Sequence, residues 1–273
     1  MPLGAFEQEV LRLLAVNRNP DSYVAGATVL NRSALRFSSD IDIFNDREDR
    51  VAAIAEADCT VLKAAGYEIK WLRRLPMIHT AVVSRDGNST QLEWVVDSDF
   101  RFFPICRDPL FGFALHPIDL ATNKVMAAAG RRALRDIVDL LEIHQAILPL
   151  GALIWAAVEK SPGFTPEGLI AEIRRNLHHP KAEWDSLVMG APIDPGRVLA
   201  GVRAALDEAE AFVVRVPTDK IGLLFLRDGN VVQPDPDHLD QYETHAGQRR
   251  GHWPTNTEIA DALWQQYQQR PNE

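Results

Sequence analysis

The amino-acid sequence predicts an α+β fold in which a sheet-bearing N-terminal half is followed by a mostly helical C-terminal half. Within residues 22–98, short segments with apolar and polar residues in alternation, typical of half-buried strands, are mixed with helical periodicities. An Asp-Gly pair at Asp86 and Gly87 is a strong hairpin signal between two of these segments. After Pro117 the apolar spacing is mainly helical. We therefore expect a sheet core over residues 1–118 and a helical region, with a small hairpin and a terminal helix, over residues 119–273.

The elements of the first half follow from residue spacing and turn chemistry. The sequence predicts, in order, an amphipathic helix at 5–16, a strand at 22–30 running into a Gly-Ala turn, a strand at 39–44, a helix at 48–66, and hairpin strands at 79–84 and 90–98. Gly66 is the expected stop of the long helix, because glycine readily adopts the backbone conformation that ends helices.

The elements of the second half are predicted in the same way. Helices are expected at 119–129, 132–145 with apolar helical material continuing to about 160, 167–178, 194–214 and 257–268. A second hairpin is expected at 221–232 around Asp228 and Gly229, and a loop or tail at 234–254, which is rich in Pro, Asp, His and Gly.

Composition limits the class of protein. The chain has 273 residues, 46% of them hydrophobic, which is enough for a sizeable core. Two cysteines, Cys59 and Cys106, are too few for a disulfide framework and indicate reduced thiols in a cytoplasmic protein. Residues 1–14 carry two glutamates within a helical pattern, unlike a signal peptide. The longest apolar run, residues 146–158, is shorter than the roughly 18 residues of a membrane span, so we expect no membrane partner.

Charge is unevenly distributed along the chain. The net charge is −9, yet residues 63–135 hold 11 basic and seven acidic side chains, a local net of +4. A basic region in an acidic protein suits a phosphate-bearing partner such as a nucleic acid. The number of charged residues is equally consistent with solvated side chains that are unevenly distributed along the chain.

The segment RFSSDIDIF, residues 36–44, places two acids one residue apart. If Ile41 and Ile43 face a core, Asp40 and Asp42 project side by side from the other face of the strand. Two carboxylates about 7 Å apart on one face repel each other unless cations lie between them. A strand edge with two solvated carboxylates is the alternative.

Other residues favour a cation site. Gly26 and Ala27 end a strand before Asp40 and are expected to open a helix, where glycine lets a phosphate approach free backbone N–H groups. Glu93 and Asp97 lie on the polar face of a hairpin strand, and either can complete a trio of carboxylates; Glu93 is favoured because it is nearer the middle of its strand. Such a trio suits Mg²⁺, and two ions serve phosphoryl or nucleotidyl transfer.

Basic side chains follow the sheet. Lys124 and the cluster Arg131, Arg132 and Arg135 are placed on helices, where they can neutralise a triphosphate. Arg73, Arg74, Arg131 and Arg132 are candidates for contact with the backbone of a nucleic-acid partner, with a solvated basic face as the alternative.

The motifs together resemble a known family. The order G-[GSA]-x(12)-D-x-D, a strand acid, and then K…RR…RD-x-x-D is similar to the AbiEii/AbiGii-type nucleotidyltransferase toxins, which include the mycobacterial MenT group. The likeness covers roughly residues 20–145. It continues through the segment RFFP at 101–104 and the segment DLATNKVMAAAGRRALRDIVDLLEI at 119–143.

The resemblance implies a polymerase-β-like nucleotidyltransferase core with a mixed sheet and a helical C-terminal region. It further implies an NTP substrate, Mg²⁺ (two ions expected), a tRNA 3′ end as acceptor in some members, and a cognate antitoxin of a toxin–antitoxin or phage-defence pair. Carried over by residue, Asp40 and Asp42 hold Mg²⁺ with Glu93 as the third carboxylate, and Lys124 binds the triphosphate. Asp136 falls at the family's acid on the following helix. The nucleotide-binding residues are Gly26, Ala27, Arg36, Ser38, Ser39 and Lys124.

The turn departs from the superfamily pattern. Ala27 stands where a Ser or a second Gly is common, so one hydroxyl contact to phosphate is missing while the backbone N–H groups remain.

The sequence also allows two other functions. These are nucleotidyl transfer to a protein or small molecule, mildly favoured by the acidic total charge, and a non-catalytic nucleotide-binding interaction protein.

Overall fold

In the computed structural model, residues 3–30, 36–38 and 40–268 are described, and they form two compact units. The first comprises the described residues up to Asp99 together with Pro104–His116, and the second comprises Phe100–Phe103 and the described residues from Pro117 onward. A mixed sheet and many helices make the class α+β, as predicted.

The described residues contain the following regular elements. The strands are β1 (Ser22–Ala25), β2 (Asp40–Asn45), β3 (Glu68–Leu75), β4 (Ile78–Arg85), β5 (Asn88–Val96), β6 (Phe100–Arg101), β7 (Cys106–Asp108), β8 (Gly112–Ala114), β9 (Leu224–Arg227), β10 (Asn230–Val232), β11 (Glu243–His245) and β12 (Gln248–Arg249). The α-helices are α1 (Ala5–Leu14), α2 (Gly26–Leu30), α3 (Glu48–Ala64), α4 (Pro117–Gly130), α5 (Leu134–Ala146), α6 (Leu150–Ala157), α7 (Pro166–Arg175), α8 (Lys181–Asp185), α9 (Pro195–Val213) and α10 (Thr257–Gln268).

A seven-stranded mixed sheet organises the first unit, in the order β3-β4-β5-β2-β1-β8-β7. Strand β2 lies between β1, to which it is antiparallel, and β5, to which it is parallel. Strands β3, β4 and β5 form an antiparallel meander. The turn between β4 and β5 uses positive φ at both Asp86 (53°) and Gly87 (79°), which confirms the hairpin predicted from the Asp-Gly pair.

The core of the first unit lies on one face of this sheet. Side chains of α1 and α3 cluster there with Ile41 and Ile43 of β2 and with Leu92 and Trp94 of β5. All four of these strand residues are fully buried. The predicted alternation along β2 is confirmed, and its acids lie on the opposite face.

The second unit is mainly helical. Every residue of α6 is buried, and this helix packs against α4 and α9. Two small sheets, of order β10-β9-β11 and β12-β6, complete the unit. The carboxylate of Asp119 accepts hydrogen bonds from the backbone N–H groups of Phe102 (2.8 Å) and Phe103 (2.9 Å), and Lys160 Nζ lies 2.9 Å from the same carboxylate. These bonds tie the segment Phe100–Phe103 to α4.

Several predictions of secondary structure were incomplete, and the short elements β6, β7, β8 and α8 were not predicted. The strand expected at 22–30 ends at Ala25 and becomes α2, and the loop expected at 234–254 contains the short strands β11 and β12. Strand β3 was not predicted. It is an edge strand with most of its side chains exposed, so charged residues interrupt the apolar alternation by which strands are recognised.

Among the described residues, no single helix has the length and apolar composition to cross a membrane. One pair of helices in the described part of the chain, Leu134–Ala146 and Leu150–Lys160, meets both criteria together, but it is bent by 114° at its break.

Candidate active site

Asp42 and Glu93 are direct neighbours on the face of the sheet opposite α1 and α3. The parallel pairing of β2 with β5 places Asp42 beside Glu93 and Asp40 beside Gln91. Side chains at paired positions leave a sheet on the same side, and adjacent strands are about 4.8 Å apart. We call this side the acid face, defined by Asp40, Asp42 and Glu93 together with the residues paired with them in β4 and β3.

The register separates Glu93 from Asp97. Strand β5 ends at Val96, which pairs with Asn45, the last residue of β2. Asp97 follows the strand, and its backbone N–H donates to Asn45 O at 3.0 Å. Glu93 is therefore the carboxylate beside the acid pair, while Asp97 lies beyond the end of the ladder.

Gly26 lies against Asp42. Its φ is +68°, in the left-handed region that glycine adopts without strain, and it follows Ala25, which pairs with Asp42. A Cβ atom on Gly26 would fall 2.8 Å from Asp42 Cγ. The Asp42 carboxylate therefore occupies the space that a side chain at Gly26 would need, at the point where β1 ends and α2 begins.

Two buried hydroxyls fix the start of β2. Ser38 Oγ donates to the carbonyl oxygen of Asp40 at 3.0 Å, and Thr28 Oγ1 donates to the same oxygen. Ser38 was predicted to contact phosphate, whereas Thr28 was not predicted as a site residue, although it lies two residues after Gly26. Arg36 is 5% exposed, and its Nη1 donates to Phe37 O at 2.9 Å. Ser39 lies outside the described residues.

Lys124 and Asp136 belong to the second unit, where they contact each other. Lys124 Nζ lies 2.8 Å from Asp136 Oδ1 and 3.0 Å from Asp139 Oδ2, and Arg131 Nε lies 2.7 Å from Asp136 Oδ2. Burial raises the pKa of Asp136, but the hydrogen bond from Arg131 and the charge of Lys124 outweigh it and leave that pKa below its usual value. The structure shows Lys124 in a buried ion-pair network.

Three of the four arginines expected along an acceptor backbone have partners within the protein. Arg74 pairs with Glu56 of α3 and lies 4.7 Å above the ring of Trp71. Arg131 pairs with Asp136, and Arg132 Nη2 lies 2.6 Å from Glu183 Oε1. Arg73 differs: it is exposed, and no carboxylate in the described part of the chain pairs with it.

The donor atoms of the acid face suit a hard cation. Asp40, Asp42 and Glu93 offer only carboxylate oxygens, the ligands that Mg²⁺ prefers. Their side chains are half-buried, so their mutual repulsion is only partly screened by water. Within the described ranges, no three His, Cys, Asp or Glu residues are already gathered at metal-binding distances. The residues fit Mg²⁺ by chemistry and by their neighbouring positions on one face.

The cysteines offer no alternative nucleophile. Cys59 and Cys106 are both buried and unpaired as disulfides. Burial raises the pKa of the Cys59 thiol to about 11, so it stays protonated at neutral pH.

Comparisons with known proteins give the following. No family model matches this chain, and no curated protein matches it. Among solved structures, an H. pylori protein assigned as a nucleotidyltransferase is 14% identical, with a TM-score of 0.46, over 77% of this chain and 96% of its own. The Cid1 poly(U) polymerase with bound Mg 3′-dATP is 16% identical, with a TM-score of 0.29, over 74% of this chain and 68% of its own. Another Cid1 structure, described for its RNA terminal uridylyl transferase activity, is 15% identical, with a TM-score of 0.30, over 89% and 72%.

Proposed function

We propose that this chain is a Mg²⁺-dependent nucleotidyltransferase that moves a nucleoside monophosphate from an NTP to the 3′ end of an RNA, with tRNA as the favoured acceptor. The observation that supports this most is the register that sets Glu93 beside Asp42, with Gly26 packed against the same carboxylate. If Asp40 and Asp42 were only solvated acids, neither a third carboxylate beside them nor a glycine packed against Asp42 would be expected.

The reaction forms a bond between the acceptor's 3′ oxygen and the α-phosphorus of the NTP and breaks the bond from that phosphorus to the bridging oxygen, so that pyrophosphate leaves. Asp40, Asp42 and Glu93 are the residues that would hold Mg²⁺. When bound, Mg²⁺ would neutralise developing charge on the phosphate oxygens and make the attacking hydroxyl more acidic. Glu93, beside Asp42, is the carboxylate we assign to accept the proton of that hydroxyl.

The remaining residues have supporting roles in this proposal. The backbone at Gly26 and Ala27 takes phosphate oxygens, and Thr28 and Ser38 hold β2 in place through the Asp40 carbonyl. Arg36 and Ser39 keep the phosphate-binding roles implied by the resemblance, as does Lys124. For Lys124 this role requires that phosphate oxygens replace Asp136 and Asp139 at its ammonium group.

The biological role we propose is that of the toxin in a toxin–antitoxin or phage-defence pair, with a cognate antitoxin protein as partner. Its support is the order of motifs from Gly26 through Asp40 and Asp42 to the segment at 119–143. A protein or small-molecule acceptor is the competing function, favoured by the net charge of −9.

Incubation with each radiolabelled NTP, Mg²⁺ and total tRNA, followed by gel electrophoresis, tests the proposal. The wild type is expected to label tRNA with a preferred nucleotide. Asp40→Asn and Asp42→Asn are expected to fold normally and to lose roughly 10²–10³ in rate, because each removes a charge that stabilises the transition state. Transfer by either variant at near the wild-type rate would show that the acids are not catalytic. Label on a protein or small molecule instead of RNA would favour the competing function.

A further inference from the structure

Two rows of side chains cross the acid face from the carboxylates of β2 to the edge strand β3. Each row starts at an acid and ends at a cation, and its members are paired across four adjacent strands. The rows are Asp42, Glu93, Thr80, Arg73 and Asp40, Gln91, Val82, Lys70. At about 4.8 Å per strand, each row spans roughly 14–15 Å.

A β-bulge places Arg73 on this face. The pairing of β3 with β4 shifts between Trp71, opposite Ala81, and Arg73, opposite Thr80. In a regular strand Arg73 would share a face with Trp71, two residues earlier. Trp71 packs on Trp94 in the core, with 5.8 Å between ring centroids, so a regular strand would place Arg73 on the core side. The extra residue Leu72 turns Arg73 to the opposite side. Bulges of this kind re-aim side chains at functional edges.

Both terminal cations are available to a ligand. Lys70 and Arg73 are exposed, and in the described part of the chain neither pairs with a carboxylate, Glu68 at the start of the same strand included. Arg74, the next residue, lies on the core side and is occupied by Glu56 and Trp71. The positive charge on the core side of β3 is therefore paired, at Arg74, while the positive charges on the acid face, at Lys70 and Arg73, are exposed to solvent.

An apolar row adjoins the two polar rows. Phe44, Val95, Ile78 and Leu75 are paired across the same four strands. Leu72, Leu75 and Met77, at the open edge, are each 53% exposed. Apolar surface next to unpaired cations suits a single-stranded nucleic acid, because single strands bind proteins through both their unstacked bases and their charged phosphates.

We propose that the acceptor is a single-stranded RNA end that lies across the acid face, with its 3′ hydroxyl at Asp42 and its upstream phosphates at Arg73 and Lys70. The bases contact the apolar row. This inference rests on the proposed function and adds to it the path and the strandedness of the acceptor.

The test compares the double variant Lys70→Gln/Arg73→Gln with Arg74→Gln, which changes the same charge on the same strand but on the other face. Binding of a fluorescently labelled 12-nucleotide single-stranded RNA is measured from 50 to 200 mM salt, without NTP. The double variant is expected to flatten the slope of log affinity against log salt by about 1.4, because each lost contact to a single strand contributes about 0.7. In transfer assays it should raise KM for RNA while KM for NTP stays unchanged. Arg74→Gln should behave as wild type in both assays.

The outcomes separate this inference from the proposed function. Transfer by the wild type with unchanged RNA affinity in the double variant would overturn the path while the function stands. Binding that depends on Lys70 and Arg73, without transfer by the wild type to any acceptor, would support the surface and overturn the function. Equal affinity for a duplex of the same length would overturn the single-strand assignment. Sedimentation of the same samples tests whether a second copy of this chain, and not RNA, binds the acid face. A wild-type dimer that is absent in the double variant would overturn the RNA assignment.

Discussion

Gly26 joins two constraints at one residue, a positive φ and close contact with Asp42. In Gly26→Ala, the left-handed conformation costs about 1–2 kcal/mol, and the new Cβ displaces the Asp42 carboxylate. We expect a lowered melting temperature and a loss of nucleotide transfer. Gly66→Ala is the matched control, because Gly66 also has positive φ (83°) but an added Cβ there meets nothing within 4 Å. It should lose stability and keep activity; equal loss of activity in both variants would contradict the role given to Gly26.

Glu93 and Asp97 make a second prediction at the scale of single residues. Glu93→Gln is expected to match the loss caused by Asp42→Asn, roughly 10²–10³ in rate, because the two carboxylates are paired across β2 and β5. Asp97→Asn is expected to remain within a few-fold of wild type, since this residue follows the end of β5. Transfer rates at saturating NTP and RNA decide between them. A defect confined to Asp97→Asn would mean that the third ligand comes from beyond the strand.

At the scale of elements, Asp58 holds together three parts of the first unit. Its carboxylate, on α3, accepts from Arg18 (2.5 Å), from Asn17 (2.8 Å) and from the indole N–H of Trp94 on β5 (2.7 Å). Arg18 and Asp58 side chains are fully buried. Asp58→Asn leaves the guanidinium without its countercharge, so we expect a loss of about 3–5 kcal/mol in the free energy of unfolding. Urea denaturation measures it; a loss below 1 kcal/mol would show that the pair is solvated.

The contact of His245, on β11, with Phe102 and Phe103 predicts a pH dependence. His245 is buried, its Nε2 lies 2.8 Å from Phe102 O, and its ring stacks on Phe103 at 4.7 Å and on His252 at 4.2 Å. Burial lowers the pKa of His245, with His252 acting in the same direction and the Phe102 carbonyl and Asp119 opposing. Because the unfolded chain then binds the proton more tightly, stability is complete above pH about 6.5 and falls as pH drops from there towards the folded pKa.

Amide hydrogen exchange in residues 243–252 between pH 7.5 and 5.5 measures this effect, after correction for intrinsic exchange rates. Protection in the wild type should fall on acidification. His245→Gln, which cannot titrate, should show less protection at pH 7.5 and a flatter profile. Parallel profiles in the two proteins would place the pH sensitivity elsewhere.

At the scale of the whole molecule, binding of Mg²⁺ to the folded chain should raise its thermal stability. Ligand that binds only the native state stabilises it by about 2.7 kcal/mol at one hundred times its Kd. We expect the melting temperature of the wild type to rise with Mg²⁺ over EDTA, and Asp42→Asn to show little rise. Without Mg²⁺ this variant should be at least as stable as wild type, since repulsion on the acid face is relieved. Asp86→Asn, on the exposed β4–β5 turn, is the charge-matched control and should respond as wild type. A clear loss of stability of Asp42→Asn in EDTA would mean that the acid is structural.

Features that depend on residues close together in the chain could be predicted before folding was considered. Alternation around Ile41 and Ile43 predicted which face the acids occupy, and the Asp-Gly pairs at 86–87 and 228–229 predicted both hairpins. Helix α10 was predicted at its observed bounds. Side-chain period and turn chemistry are local properties, so they can be read from a short stretch of chain.

Contacts between residues far apart in the chain became known from the fold. Register placed Glu93, and not Asp97, beside Asp42, and a bulge turned Arg73 onto the acid face. Strand β3, whose apolar alternation is interrupted by charged residues, was recognised only by its pairing with β4. Folding also gave Arg74, Arg131 and Arg132 partners inside the protein. Strand register and ion pairing depend on contacts between residues far apart in the chain. Local periodicity predicts the face of each side chain but not the register, because the side-chain period is two and a shift of two residues leaves every side chain on its face.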